Sequence, residues 1–374
     1  MNTMQVNHDY LDASSEIPKL ALFALRALFT SEPAHCSGNI LIINTCLIGE
    51  FAVSMPALRD FIQKNQEKKV DLLVVPSQKT LAEKIQGVHK VYVAKAAHSR
   101  SVDAVGHGQQ AETSFPVYEK TIALRVSPAA YHALRGVTLG KIQTSAPVML
   151  HEGVRLVLRH IWRRAPMQYR EMNFAFFGST PRVMLPQDLF VFTDAERAKI
   201  ETFDFLQPSE KGKRVLVHTN AHWPMKCWES ERWVAALTKM HQSGNFRFIF
   251  VGTKDDEENQ KYIASRLGFE TYSLVGKITL GELLLTMAVC DYFLGLDSGP
   301  SNLSHVADLR SVTIAAFGPH LFLPWDRRDK MLDKSGGRGL LQMFFILKKK
   351  FISQITVDEV CAEFMKLVQE NPTT

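Results

Sequence analysis

A lysine, an isolated acid and a small-residue turn are the groups in this chain whose type and placement could do chemistry. Lys226 lies in the run Thr219-Asn220-Ala221-His222-Trp223-Pro224-Met225-Lys226-Cys227-Trp228, a loop leaving a strand, with Trp223 and Trp228 on either side. An ammonium placed there can neutralise a pyrophosphate. Asp297-Ser298-Gly299-Pro300 follows the apolar run Tyr292–Leu296 and precedes Ser301–Ala307, which reads as a helix. Gly299 permits a turn that side chains would forbid, and Pro300 suits a first helical turn. A strand feeding a helix start through small residues is a ready anion site, because free amides and the helix dipole both point at it. The alternative is an ordinary βαβ turn without a ligand. Glu50 stands beyond the carboxyl end of the strand Asn39–Asn44, where it could be a general base or simply an acid that favours a helix dipole. Asp256, Glu257 and Glu258 follow the strand Phe246–Val251 and could take ribose hydroxyls or form a solvated helix start.

A fifth feature is LHEGVRLVLRHIWRRAPMQY, residues 150–169. Val154, Val157, Leu158, Ile161 and Trp162 recur at helical spacing, and Arg155, Arg159, Arg163 and Arg164 occupy much of the remainder. A basic amphipathic helix can lie on an anionic membrane or grip a phosphorylated lipid; the alternative is a solvated face.

The elements that must position these groups alternate between strand and helix. Asn39–Asn44, Val70–Val75, Lys90–Val93 and Glu119–Ser127 read as strands, with a helix over Phe51–Lys64. A second series begins at Arg214–His218 and continues through Phe246–Val251, Tyr272–Val275, Tyr292–Leu296 and Ser311–Phe317. Its helices are predicted over Trp233–Gln242, Asn259–Leu267 and Thr279–Ala288. Such alternation predicts parallel, doubly wound sheets, hence two Rossmann-like domains facing each other across a cleft. The crossing falls around Leu185–Asp204, giving domains over 1–190 and 191–350. Residues 351–374 carry a closing helix, Val357–Gln369, expected to pack back on the N-terminal domain. A helix over Ile17–Thr30, a polar loop over His98–Phe115 and a long loop after Pro319, through HLFLPWDRRDKMLDKSGGRG, complete the reading.

Composition narrows the classes. At 374 residues the chain has material for two cores, and no apolar run reaches the roughly 18 residues that would span a bilayer. The first 20 residues carry acidic residues and no apolar core, unlike a signal peptide, so a cytoplasmic protein is expected. Cys36, Cys46, Cys227, Cys290 and Cys361 show no CxxC spacing and read as reduced, mostly buried thiols. The net charge of +6 suits phosphate-bearing partners or an anionic membrane. The basic residues of the 150–169 helix have few interleaved aromatics, which speaks against nucleic acid, and no GxGxxG follows either opening strand, which speaks against a dehydrogenase.

In order and spacing the chain resembles the ADP-heptose–lipopolysaccharide heptosyltransferases, glycosyltransferase family 9, with a GT-B fold. Three segments carry the resemblance: NILIINTCLIGEFAVSMPALRDF, RVLVHTNAHWPMKCWESERWVAAL, and VGKITLGELLLTMAVCDYFLGLDSGPSNLSHVADLRSVTIAAFGP. It implies an inverting transfer of a heptose or related sugar from an ADP-sugar to a lipopolysaccharide core or similar phosphorylated glycolipid. Glu50 would be the base, Lys226 would stabilise the leaving diphosphate, and no metal would be required. Asn220, His222, Lys226, Glu257, Asp297, Ser298, Gly299, Pro300 and Asn302 would line the donor site. The match is poor over His98–Leu185, where acceptor recognition is expected and where Arg155, Arg159, Arg163 and Arg164 lie. The protein would then work as a peripheral protein at the cytoplasmic face of the inner membrane. Two positions depart from the family pattern, which has Asp in place of Glu50 and His in place of Asn302. His305, one turn later, could partly substitute or be a packed histidine. The departures motivate a second reading, a catalytically weak relative that binds nucleotide-sugar or glycan as a scaffold. An epimerase of the same two-domain fold is a third.

Overall fold

A computed structural model describes residues 38–93, 117–124, 141–144, 169–182, 184–208, 212–221, 223–316, 329–334 and 351–370. The helix predicted at Ile17–Thr30, the loop at His98–Phe115 and the basic run before Tyr169 lie outside these residues. Two compact units are present. The first takes the described residues within Met1–Cys46, Asp60–Glu83 and Gly87–Arg155; the second takes those within Leu47–Arg59, Lys84–Gln86 and Leu156–Thr374.

The first unit is built on a parallel sheet of β1 (Ile40–Asn44), β2 (Val70–Val74), β3 (Lys90–Val93), β4 (Lys120–Ala123) and β5 (Lys141–Thr144) in the order β3-β2-β1-β4-β5. Every residue of β1 and β2 is buried, as expected for strands covered on both faces. Buried Asp71 is kept satisfied by the Tyr118 hydroxyl and His89 Nδ1, each at 2.8 Å. Burial beside that carboxylate raises the Tyr118 phenol well above its ordinary value. After β1 comes α1 (Ile48–Lys64), whose residues up to Arg59 group with the second unit.

The helix α1 begins three residues before the predicted Phe51, which places Gly49 and Glu50 within its first turn. Gly49 precedes the predicted helix, yet its φ is not positive and it continues the helix.

The second unit holds the larger sheet: β6 (Lys213–His218), β7 (Phe246–Phe250), β8 (Tyr272–Ser273), β9 (Tyr292–Leu296), β10 (Ser311–Ala315) and β11 (Asp329–Asp333). All pairs are parallel and the order is β11-β10-β9-β6-β7-β8. Chain order thus reverses between β6 and β9, the doubly wound pattern that leaves a crevice at their carboxyl ends. Short helices α2 (Lys79–Ala82), α3 (Tyr169–Phe176), α4 (Pro186–Leu189) and α5 (Asp194–Glu201) precede β6. The later helices are α6 (Ser230–Ser243), α7 (Glu257–Ala264), α8 (Leu280–Val289), α9 (Gly299–Val306) and α10 (Val357–Glu370). The start of α8 is held by Thr279, whose side chain accepts from the Glu282 amide while Glu282 accepts from the Thr279 amide at 2.7 Å.

Two expectations need correction. Asp329–Asp333, within the stretch read as a long loop, is an edge strand paired with β10. Three of its five residues are charged, which hides a strand from a hydrophobicity reading but suits an edge. The closing helix α10, expected on the N-terminal domain, is built into the core of the second unit. Phe364 meets Phe246 and Tyr292 at ring distances of 5.3 and 5.7 Å, and Val360, Cys361 and Leu367 are buried in the same cluster. The cysteines among the described residues are free, as expected, but of these only Cys361 is buried.

His305 has a structural setting. Its Nδ1 lies 2.7 Å from Asp329 Oδ1, to which Ser311 Oγ also donates at 3.0 Å. All three are buried, and the group ties α9 to the first residues of β10 and β11. The segment before β6 is similarly pinned: Arg247 on β7 donates to the carbonyls of Phe205, Gln207 and Gly212, and Arg214 on β6 donates to that of Leu206.

Candidate active site at the β6/β9 switch point

Lys226 ends a short 3-10 turn, Pro224–Lys226, in the loop after β6, and its Nζ lies 2.7 Å from Asp297 Oδ2 just beyond β9. Asp297 is buried, whereas about a quarter of the Lys226 side chain stays open. An ammonium has three donors, so a lysine held by one carboxylate and partly open can also contact an anion. Trp223, partly exposed, places its ring 5.9 Å from the same ammonium.

Ser298 caps α9 and Pro300 lies in its first turn. The Ser298 amide donates to Ser301 Oγ at 3.0 Å, and Asn302 Nδ2 donates to the Ser298 carbonyl at 3.0 Å. Asn302 is 4% exposed, and its Oδ1 is buried with no hydrogen-bond partner among the described residues. A buried acceptor left open in this way can take a ligand hydroxyl or amide.

In the wall behind these groups, His218 is not among the candidates read from the sequence, whereas Asn220 and Asp256 are. His218, the last residue of β6, is buried, and its Nδ1 is 3.2 Å from Ser298 Oγ. Burial pushes its pKa down to about 4, with the Asp256 carboxylate opposing part of that shift. Asp256 faces inward: it accepts from Asn220 Nδ2 at 2.6 Å and from the amide and hydroxyl of Thr253 at 2.6 and 3.0 Å. Asn220 Oδ1 in turn accepts from the Ala221 amide and the Cys227 thiol. Burial raises the Cys227 pKa, so this thiol is a poor nucleophile. The strand-end rule could have singled out His218, since it is the last residue of β6.

Asn220, Lys226, Asp297, Ser298, Gly299, Pro300 and Asn302 therefore stand around the carboxyl ends of β6 and β9. Glu257 does not join the inward-facing acid: it opens α7, is exposed in part, and pairs with Lys261 at 2.6 Å. His222, Arg155, Arg159, Arg163 and Arg164 lie outside the described residues. Glu50 occupies the first turn of α1, half-buried, with Oε2 shielded from solvent. Among the described residues no group of three or more His, Cys, Asp or Glu side chains is placed to hold a metal ion.

The neutral state of His218 has a measurable consequence. Unfolded, the imidazole takes up a proton as pH falls below about 6.5, whereas the folded one stays neutral to about 4. Stability is thus full above pH 6.5 and is lost as pH falls between these values, by about 2 kcal/mol between pH 7 and 5. Chemical denaturation should show that His218→Gln loses less stability over this range than the parent chain. Equal losses would mean that His218 is protonated when folded.

Two units with parallel, Rossmann-like sheets, the second bearing a lysine, a buried acid and a helix start at its switch point, are the parts from which GT-B glycosyltransferases are built. Solved structures share the fold: a glycosyltransferase family 9 protein from Veillonella parvula aligns with a TM-score of 0.69 and 13% identity over 91% of this chain and all of that one. Escherichia coli heptosyltransferase WaaC with ADP aligns with a TM-score of 0.63 and 17% identity over 88% of this chain and 99% of the other. The sequence profile of glycosyltransferase family 9 (heptosyltransferase) matches residues 143–333, just over half of the chain, and the chain belongs to that family. A curated relative, lipooligosaccharide heptosyltransferase 2 of Campylobacter jejuni serotype O:6, is 29% identical over 131 residues. That match spans 33% of this chain and only 40% of the relative's length.

Proposed function

We propose that this chain transfers a heptose or a related sugar from an ADP-sugar to a lipopolysaccharide core or a similar phosphorylated glycolipid, inverting the anomeric carbon. The observation that carries the reading is the Lys226–Asp297 pair at the β6/β9 switch point, beside the start of α9. An ammonium with part of its side chain open and the start of a helix stand together there, groups that suit the phosphates of a nucleoside diphosphate. Family membership and the ADP bound by WaaC support adenine as the base.

In this reaction Glu50 removes the proton of an acceptor hydroxyl. The oxygen attacks the anomeric carbon opposite the leaving group, the bond from that carbon to the diphosphate breaks, and ADP departs with the electron pair. Lys226 and the amides at the start of α9 stabilise the charge that develops on the diphosphate. Asp297 holds Lys226 in place, and the open Oδ1 of Asn302 receives a donor hydroxyl. Arg155, Arg159, Arg163 and Arg164 are assigned to the acceptor phosphates, at the cytoplasmic surface of the inner membrane.

Thermal melting against ADP-, UDP-, GDP- and CMP-linked sugars tests the donor. A ligand that binds only the folded chain adds about 2.7 kcal/mol at a hundredfold excess over its Kd. The ADP-sugar is expected to raise the melting temperature. A shift with a different base alone would replace the donor, and no shift with any of them would contradict the site.

A second reading, a weakly catalytic relative that retains nucleotide-sugar or glycan binding as a scaffold, is motivated by Glu50 and Asn302, where the family pattern has Asp and His. It predicts the same melting shift without acceptor-dependent turnover.

A further inference from the structure

Gly49, the second residue of α1, and Gly299, the first of α9, lie close enough that a Cβ on either would meet the other's backbone within 3.9 Å, and both lie in the second unit. A Cβ built on Gly49 would stand 3.0 Å from Asn302 Nδ2 and 3.9 Å from the Gly299 Cα. A Cβ built on Gly299 would stand 2.8 Å from Ile48 Cγ2 and 3.1 Å from Ile48 Cβ. Neither glycine has a positive φ, so neither is required by backbone conformation. Glycine also weakens a helix relative to alanine. What the two positions share is the absence of a side chain at a place where two helix starts meet. The amide of Asn302, fixed on the Ser298 carbonyl, fills the space beside Gly49, and Ile48 fills the space beside Gly299. Glu50 follows Gly49 directly, so whatever sets the distance between the two backbones also sets where its carboxylate is delivered.

We infer that Gly49 and Gly299 form a side-chain-free contact that fixes the Glu50 carboxylate against the start of α9, with Ile48 and Asn302 as its buttresses. Gly49 and Ile48 are then positioning residues. The inference rests on the reading of Glu50 as the base. A base must sit within about an ångström of its working place, because a displacement of that order costs roughly a hundredfold in rate. An alanine at 49 forces either the Asn302 amide or α1 to move by several tenths of an ångström.

The test is a cycle of Gly49→Ala, Asn302→Ala and the double variant in the full chain. Turnover is read as ADP released from ADP-heptose with a heptose-free lipopolysaccharide core as acceptor, ADP affinity by calorimetry, and melting temperature alongside. Gly49→Ala should lower kcat by about tenfold or more while the Kd for ADP stays within about twofold. Removing the Asn302 amide takes away the obstacle, so the double variant should turn over at least as fast as Asn302→Ala alone. Turnover of Gly49→Ala within about twofold of the parent would overturn the inference, as would a double variant that shows the product of the two single losses. Full turnover in Glu50→Gln would remove the base reading instead. The contact is then judged by melting alone: the two shifts should fail to add, and addition within about 1 °C would overturn it.

Discussion

Glu50→Gln is expected to lower turnover by about two to four orders of magnitude while leaving ADP affinity within about threefold. Glutamine keeps the size and shape of the side chain, so the first turn of α1 and its contact with α9 are retained. What it cannot do is accept a proton from an attacking hydroxyl. The competing role for Glu50, an acid that favours the dipole of α1, makes a different prediction. Its removal would cost at most about 1 kcal/mol of stability and leave the rate alone. Glu50→Asp separates the two further. It preserves charge and dipole but withdraws the carboxylate by one methylene, so a base would lose most of its effect and a dipole partner almost none.

Lys226→Ala carries the second large effect, on both halves of the account. Transfer should fall by about two to three orders of magnitude, the scale for deleting one group that stabilises developing charge, and ADP should bind markedly more weakly. Stability should fall as well, because Asp297 is buried and loses the ammonium 2.7 Å away. Breaking a buried pair costs about 3–5 kcal/mol, and the partial exposure of Lys226 places this one below that range. Adding Asp297→Asn to Lys226→Ala removes the stranded charge. The double variant should recover stability without recovering transfer. Recovery of both would mean that the pair is structural and that the diphosphate is held elsewhere.

How much of this could be read from residues differed between strands and contacts. β9 carries the bounds that its apolar run predicts, and β6 and β7 lie within a residue of theirs, because buried parallel strands announce themselves by continuous hydrophobicity; β3, a half-buried edge strand, keeps its predicted bounds as well. The Asp-Ser-Gly-Pro turn was equally legible, since each of its residues has a local reason to be there. β11 was not, because an edge strand needs only one neighbour and tolerates Asp329, Lys330 and Asp333. The true start of α1 lies three residues before the predicted one, because the use of Gly49, close approach to Asn302 within a helix, has no local signature. The acidic run shows the same limit. Asp256, Glu257 and Glu258 are alike in sequence, and only the fold sends Asp256 to Asn220 and Glu257 to Lys261. His305 offered itself as a substitute for the histidine absent at 302, yet Asp329, 24 positions later, holds it in the core. Local chemistry identifies strands and turns; which of several similar side chains faces the site is decided by partners far along the chain.

The most direct test of the central claim is ADP release from ADP-heptose, measured with and without a heptose-free lipopolysaccharide core as acceptor. Release that requires the acceptor, and that is lost in Lys226→Ala, is the predicted result. Donor binding without release under either condition would contradict transfer and leave a scaffold. Turnover of the donor that is indifferent to the acceptor would contradict it in favour of chemistry on the nucleotide-sugar alone.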